Sequence, residues 1–418
     1  MTEAALPEGW TTARVGDLGV WRGGGTPSKS QPDYWGGSIP WLTPKDFSAS
    51  QIQDTEDHIT EVGLTSRGLR LYQPSDVAVV FRSGILRHTF PITRCSVPYA
   101  VNQDIKVLST DAAHCSDFVF YALQANTTNI LRTAVKTGTT VQSVDGHSFA
   151  RIEIALPPPA EQRKIAAVLR SVDEAVERTE AVIAALREVK RGMMQELLTK
   201  GIGHTEFVET DLGHLPSNWC VATLGELCDE VYRYPTYYNI DYVASGVPEV
   251  RGELIGEDGR LSNDFAEYRR ISPQTSARFP RTVLQEGDFV LSVRGTMGKI
   301  GYVHGCLSGA NMTANLIRLS PDRRRVDPLW LKHVMLGAEF QQRLQAASSA
   351  TTIQTIQAPV LKEIPVRLPP LIEQHDIAAR LEAAGTAVTV TQQELTGLQA
   401  LKRGLMQQLL TGKVRVKV

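Results

Sequence analysis

No stretch of this sequence reaches the ~18 consecutive apolar residues that a membrane-spanning helix needs, although 42% of its 418 residues are apolar. The opening, MTEAALPEGW, carries an acid and no apolar core, so it does not read as a secretory leader. The five cysteines, Cys95, Cys115, Cys220, Cys228 and Cys306, are scattered and include no Cys-x-x-Cys pair. That argues against a disulfide framework and fits thiols buried as small core residues in a reducing cytoplasm.

Excess charge is missing too. Net charge is −1. Residues 1–155 hold 13 basic against 15 acidic side chains, and residues 202–367 hold 17 against 19. No segment is a basic block, so a general attraction to phosphate is not the argument for a nucleic-acid ligand. Any such ligand requires the cations to be gathered on one face.

Catalytic signatures are absent as well. The sequence has no [DN]PP[FYW] tetrapeptide, no G-x-x-x-x-G-K-[ST] and no H-E-x-x-H. The run GTMGK at Gly295 has two residues between its glycines, too few to cradle phosphates, and reads as a turn after a strand ending at Arg294. The nine histidines are dispersed and form no zinc pattern with cysteine. Asp76 and Asp288, matched acids before two apolar runs, read as turn residues rather than as catalytic carboxylates. The expectation is a binding protein that has no catalytic or metal site and no cofactor of its own.

What the sequence does contain is a tandem duplication. LPPPAEQRKIAAVL from Leu156 matches LPPLIEQHDIAARL from Leu368, 212 residues later. The same offset pairs LREVKRGMMQELLT (Leu186 to Thr199) with LQALKRGLMQQLLT (Leu398 to Thr411), and TTVQSV from Thr139 with TTIQTI from Thr351. SDVAVVFRSG near Asp76 aligns with GDFVLSVRGT near Asp288, setting Arg82 against Arg294. The starts match at a slightly different offset, LPEGWTTARVGDL from Leu6 against LPSNWCVATLGEL from Leu215.

Each copy begins with a mixed region of short β-branched and aromatic runs, such as SIPWLTP, DVAVVFR and DFVLSVR, which read as strands. Among them lie helical patterns, CSDFVFYALQA after His114 and PLWLKHVMLGAEFQQRLQ after Asp327. An α+β head is implied. Pro157, Pro158 and Pro159 then stop the preceding strand, and a long proline-free amphipathic run follows. Its seam is Ile165, Leu169, Val172, Val176, Ile183, Leu186, Met193 and Leu197. The counterpart seam is Ile377, Leu381, Ala384, Val388, Leu395, Leu398, Leu405 and Leu409. Steps of three and four residues are those of a coiled coil, and forty residues make a rod of roughly 60 Å. Two equivalent seams in one chain favour antiparallel pairing with each other over pairing with another molecule. The predicted division is 1–155 and 202–367 as two globular heads, and 156–201 and 368–413 as spacer helices. The heads are then expected at opposite ends of a pseudo-two-fold spacer.

The first head carries WRGGGTPSKSQPDYWGGSIPWLTPKDF, Trp21 to Phe47. Three successive glycines allow a close backbone approach to a ligand; the equally open reading is a loop packed by its own tryptophans and tyrosine. This run, with LPPPAEQ and its long helix, the ending KRGMMQELLTKGI and the second LPPLIEQ, resembles Type I restriction–modification specificity subunits over nearly the whole chain. The resemblance implies two target-recognition domains, each reading half of an asymmetric bipartite site in double-stranded DNA. It also implies helices that set the spacer and carry two adenine-N6 methyltransferase subunits, joined by a restriction and translocase subunit. On that reading S-adenosylmethionine, ATP and Mg belong to the partners, catalysis is theirs, and the complex is cytoplasmic. The alternatives are a coiled-coil scaffold that binds only proteins and a nuclease with an unusual site.

Base edges are read by Arg, Gln and Asn, and phosphates are held by Lys, Ser, Thr and backbone N–H groups. The candidates in the first head are therefore Arg22, Gly24, Thr26, Ser28, Lys29, Lys45, Arg82, Arg87 and Gln142. In the second they are Arg233, Tyr234, Arg251, Arg294, Lys299 and Gln354. The second head has EVYRYPTYYN where the first has its glycines. The duplicated pairs Arg82/Arg294 and Gln142/Gln354 suit a shared task, phosphate positioning. For the glutamines, hydrogen bonding within a turn is the competing role.

Overall fold

The computed structural model describes residues 6–136, 141–233, 240–294, 297–348 and 356–417. It divides into two compact units, Met1–Glu180 with Gln393–Val418, and Ala181–Gln392. Each unit holds one α+β head and a segment of each of the two long helices. The first long helix is Pro159–Thr199 and the second Leu371–Leu409.

In the first unit an antiparallel ribbon of Thr11–Arg14 with Glu153–Leu156 brings the two ends of the head together. Its five-stranded sheet runs in the order Gly19–Gly23, Ile105–Thr110, Val77–Val80, Ile92–Cys95, Gln51–Ile52. Alternation along a strand sends side chains to opposite faces. Val77 and Val79 accordingly join Phe118, Leu123 and Ile130, while Ala78 joins Leu42, Tyr72, Tyr99 and Val107. A smaller sheet sets Trp35–Leu42 between His58–Ile59 and Ala100–Val101.

The second unit repeats this plan. Cys220–Thr223 pairs with Pro365–Leu368. Its main sheet runs Cys228–Arg233, Leu316–Pro321, Phe289–Ser292, Ile300–Tyr302, and its smaller sheet sets Tyr242–Val250 between Arg269–Ile271 and Asn311–Met312. Phe289 and Leu291 face Trp330 and Leu331, whereas Val290 faces Leu254 and Leu284. In both units the third strand of the small sheet joins in parallel. The duplication is thus one of topology, including the region where the sequences diverge.

Asp76 and Asp288 close the same turn. Each buried carboxylate accepts the backbone N–H three residues earlier, from Gln73 and Gln285, at 2.8 Å. The helical pattern after Asp327 is one element in the sequence but two in the structure. Gly337 is extended and separates Pro328–Leu336 from Ala338–Ser348.

The long helices pair antiparallel within each unit. In the first, Asp173 meets Lys402 at 2.6 Å and Glu161 meets Arg415 at 2.7 Å. In the second, Arg187 meets Gln392 at 3.3 Å, and Glu373 accepts the backbone N–H of Ile202 at 3.0 Å. The lower the number on one helix, the higher its partner on the other. The expected seam faces inward: Ile165, Leu169, Val172, Ile183, Leu197, Ile377, Leu381, Leu395 and Leu409 are buried, and Val176, Leu186, Met193, Ala384, Val388, Leu398 and Leu405 are half-buried. Ile165 and Leu169 with Leu409 enter the first head's core, and Leu197 with Ile377 and Leu381 enters the second's. Helix and head are therefore packed as one body in each unit.

Candidate nucleic-acid interface

Strand direction gathers the candidate residues at one end of each main sheet. In the first unit Gly23 lies opposite Lys106, and Val80 opposite Ile105. The chain leaves at Gly24 and at Phe81, and returns through Asn102–Asp104, all at that end. Phe81 and Arg82 donate their N–H groups to Asp104 O at 2.8 and 3.2 Å, and Gly25 donates to Val101 O at 3.0 Å. Asn102 donates to Leu42 O at 3.0 Å, which brings in Thr43 and Lys45. Gly24 is required here, because a Cβ would lie 1.8 Å from Val101 O. The helical segments are attached at the opposite end of the same sheet, where Gln162 accepts the N–H of Cys115 at 2.8 Å.

The result is an open groove of about 500 Å³ lined by Thr26, Lys29, Trp41, Lys45, Asp57 and Gln103. Thr26 donates to Gln103 Oε1 at 2.6 Å. Trp41 is anchored by its indole N–H to Gly25 O at 3.0 Å, and Trp35 by its own to Ser28 O at 3.2 Å. The packed-loop reading is the one these contacts describe: the tryptophans hold the loop and the Gly25 N–H is spent on Val101 O, while Thr26 and Lys29 remain along the groove. Lys45 is held by Glu56 at 2.9 Å and Asp57 at 3.0 Å, and these hydrogen bonds raise its ammonium above the ordinary lysine range.

Arg22, Lys29, Arg82 and Arg87 are exposed, and Ser28 is half-buried against Ser30 at 2.8 Å. Gln142 differs from the others. Its main-chain carbonyl accepts from Ser83 N at 3.1 Å, but the side chain is 4% exposed and faces inward, with no partner for Oε1 among the described residues. It therefore does not present its amide at the surface, nor does that oxygen close a turn.

In the second unit the corresponding end carries Arg233, opposite Ile317, and Arg294 beyond Ser292. Burial, and then repulsion from Arg294, lowers the Arg233 guanidinium. Lys299 turns inward, donating to Ile255 O at 3.1 Å. Arg251 reaches Glu253 at 2.5 Å and Glu267 O at 2.9 Å. Tyr234 and Gln354 lie outside the described residues, as do Gly295 and Thr296 of the GTMGK run. Its described part, at Gly298, turns with φ +82°.

Residues that sequence reasoning missed become visible by register. Pro40 lies opposite His58, and Pro248 opposite Arg270, so Thr43, Lys45 and Asp57 occupy the places of Arg251, Glu253 and Arg269. Gln103 and Asp57 at the first site, and Arg269 at the second, belong to no repeated motif. The faint signal was the shared proline of SIPWL and GVPEV.

Comparison with known proteins decides the family. The model of the Type I restriction modification DNA specificity domain matches residues 7–188 and again 216–400. The chain belongs to this Type I specificity family. Among curated relatives, the Type I restriction enzyme MjaVIII specificity subunit of Methanocaldococcus jannaschii is 27% identical, over 99% of this chain and 94% of that one. The EcoR124I/EcoR124II specificity subunit of Escherichia coli is 34% identical over 39% of this chain and 40% of its own. The crystal structure of a Type I system S subunit from M. genitalium shares the fold with a TM-score of 0.60 at 15% identity, covering 96% of both chains. A chain from a study of Type I complex assembly and conformational transition superposes with a TM-score of 0.57 at 19% identity, covering 98% of this chain and all of that one.

For a Type I specificity protein, the duplicated α+β heads and paired helices are the expected architecture, and the gathered loop ends carry unlike residues at matched positions, Lys45 and Asp57 against Glu253 and Arg269. Among the described residues no helix is long and apolar enough to cross a membrane, and no cluster of His, Cys, Asp or Glu is arranged to hold a metal.

Proposed function

We propose that this chain is the sequence-reading subunit of a Type I restriction–modification complex, with each loop end reading one half of a bipartite site in duplex DNA. The observation that carries the reading is the pairing of a shared core topology with unlike chemistry. The two heads share the order of four main-sheet strands and the register of the small sheet, the first head adding a fifth edge strand, yet at matched positions one has Lys45 and Asp57 and the other Glu253 and Arg269. A scaffold that used only its helices would have no use for two differently equipped, open loop ends.

On this reading catalysis belongs to partners: two adenine-N6 methyltransferase subunits carried by the helices, and a restriction and translocase subunit. S-adenosylmethionine, ATP and Mg bind to those subunits, in the cytoplasm. The paired helices set the distance between the half-sites. Inserting four residues into each helix, about 6 Å of rise, lengthens the recognised spacer while both half-sites stay the same.

The deciding experiment maps methylated adenines with and without this gene, and with purified chain added to its methyltransferase. The chain alone methylates nothing, and the mixture methylates one bipartite motif. Methylation by the chain alone, or a motif that persists without it, overturns the proposal. DNA cleavage by the purified chain with Mg, abolished by one carboxylate substitution, would favour a nuclease instead.

A further inference from the structure

The second unit has a surface with no counterpart among the sequence candidates. Where Tyr242–Val250 pairs with Arg269–Ile271, a shallow groove of about 660 Å³ opens between Tyr242, Phe265, Tyr268, Arg269 and Arg270. Tyr242 is 50% exposed and Phe265 36% exposed. Phe265 is nonetheless fixed. It stacks on buried Tyr268 at 5.6 Å, and its turn is held by Asp264 N to Ser262 Oγ at 3.2 Å and Ala266 N to Asp264 Oδ1 at 2.9 Å. Tyr268 donates its hydroxyl to Ser262 O at 2.7 Å. One face of the Phe265 ring is spent on Tyr268, and the braced turn leaves the rest of it open beside Tyr242.

The charges follow the same pattern. Nearby acids are occupied: Glu253 by Arg251, Glu267 by Ser262, and buried Glu249 by the Tyr242 hydroxyl at 3.1 Å. Arg269 lies over the Tyr242 ring at 5.6 Å, and Arg270 donates to Gly246 O at 3.2 Å. Neither forms an ion pair among the described residues. Arg269, whose charge also bears on buried Glu249, and Arg270 thus stand without a direct carboxylate partner beside two fixed aromatic faces, which suits an anionic polymer with apolar rings between its charges. The groove adjoins the loop end already described, since Arg251 donates to Glu267 O at 2.9 Å, next to the groove residues Ala266 and Tyr268.

We infer that Arg269 and Arg270, flanked by Tyr242 and Phe265, form a contact for the sugar–phosphate backbone of duplex DNA beside the second half-site. The guanidiniums take phosphates and the rings pack against deoxyribose. The contact positions the duplex and reads no base. In the first head Asp57 stands where Arg269 stands here, so the contact is one-sided. This rests on the DNA-reading function proposed above.

The test is an affinity titration against salt, with the full chain and its methyltransferase on a duplex carrying the mapped motif. In Arg269→Gln/Arg270→Gln, affinity falls about tenfold or more near physiological salt, and the log–log salt slope shrinks by about two. The methylated motif stays the same. Arg269→Lys/Arg270→Lys restores the slope, and Phe265→Ala weakens binding without changing it. An unchanged affinity and slope in the Gln variant, with an unaltered melting temperature, overturns the inference. So does a changed base preference in one half-site, which would make these residues readers. Failure of the wild-type complex to bind any duplex sinks the DNA-reading function itself, and this contact with it.

Discussion

Trp10 donates its indole N–H to Glu161 at 3.1 Å, across 151 residues of sequence. Trp219 does the same to Glu373 at 2.9 Å. In each unit a carboxylate in the first turns of one long helix therefore holds the start of a head. It also holds the segment that follows the other helix, through Arg415 on Glu161 and through Ile202 and His204 on Glu373. The neighbouring glutamines act in parallel: Gln162 and Gln374 each donate to the proline carbonyl five residues earlier, and accept the backbone N–H of Cys115 and Asp327. The repeated EQ pair is a clamp joining head, helix and helix.

Removing that clamp leaves buried donors without acceptors, which costs about 1–3 kcal/mol for each such group. Glu161→Ala strands the buried Trp10 indole N–H, whereas Arg415 is partly exposed and keeps Glu8 O. Glu373→Ala strands Trp219, His204 and the Ile202 amide, and is the more damaging of the two. Trp219→Phe removes one donor while keeping most of the ring, and costs less. Urea melts of the three variants check the order. Wild-type stability in all three would mean the clamp contributes nothing.

Gly24→Ala is predicted to disable the first loop end. Its Cβ would meet the Val101 carbonyl, which is backbone and cannot swing away. Such overpacking costs about 1–3 kcal/mol or displaces the loop. Gly84→Ala, where nothing lies within 4 Å, is the silent control. DNA binding by the two variants is the measurement, with loss expected for the first alone.

Lys45 lies on the surface with both carboxylate partners, and exposed ion pairs add little to folding. Lys45→Ala should leave the melting temperature unchanged. Its expected effect is on DNA binding, which weakens more at low salt than at high salt as one cation is removed. A large drop in melting temperature with unchanged binding would assign Lys45 to the fold instead.

The seams of the long helices were legible because periodicity of three and four survives duplication, and the buried set matches it residue for residue at Ile165, Leu169, Ile377 and Leu381. The clamp was written in the same repeats, as Trp10/Trp219 and Glu161/Glu373. Sequence could not say which donor meets which acceptor over 150 residues, since only the fold brings them together. The Gly24 loop was legible through its glycines. Gln142 was misjudged because a polar residue in a repeated motif looks exposed, whereas its side chain is buried. Tyr242, Arg269 and Arg270 were missed because their strand pairs by register, and the two copies share little there beyond Pro40 and Pro248.

The joint between head and helix gives the two units different responses to acid. In the second unit buried His333 donates Nε2–H to Glu382 at 2.6 Å, and Lys332 binds the same carboxylate oxygen. Burial, aided by the positive charges of Lys332 and Lys190, lowers His333 below its ordinary 6.5. Burial opposes ionisation of Glu382, but hydrogen bonds from His333 and Lys332 outweigh it and hold its pKa at about 2. The unfolded chain therefore takes up a proton at His333 more readily than the folded one, and stability falls as pH drops below about 6.5. A second loss follows between the ordinary 4.5 of glutamate and about 2. In the first unit the place of His333 is taken by Tyr121, which donates to Asp173 at 2.8 Å and carries no charge to gain in this range. His333→Tyr should keep a donor for Glu382 and remove the first step. Melting temperatures from pH 8 to 5 should then decline for the wild type and stay flatter for the variant. Parallel declines would place the acid sensitivity elsewhere in the chain.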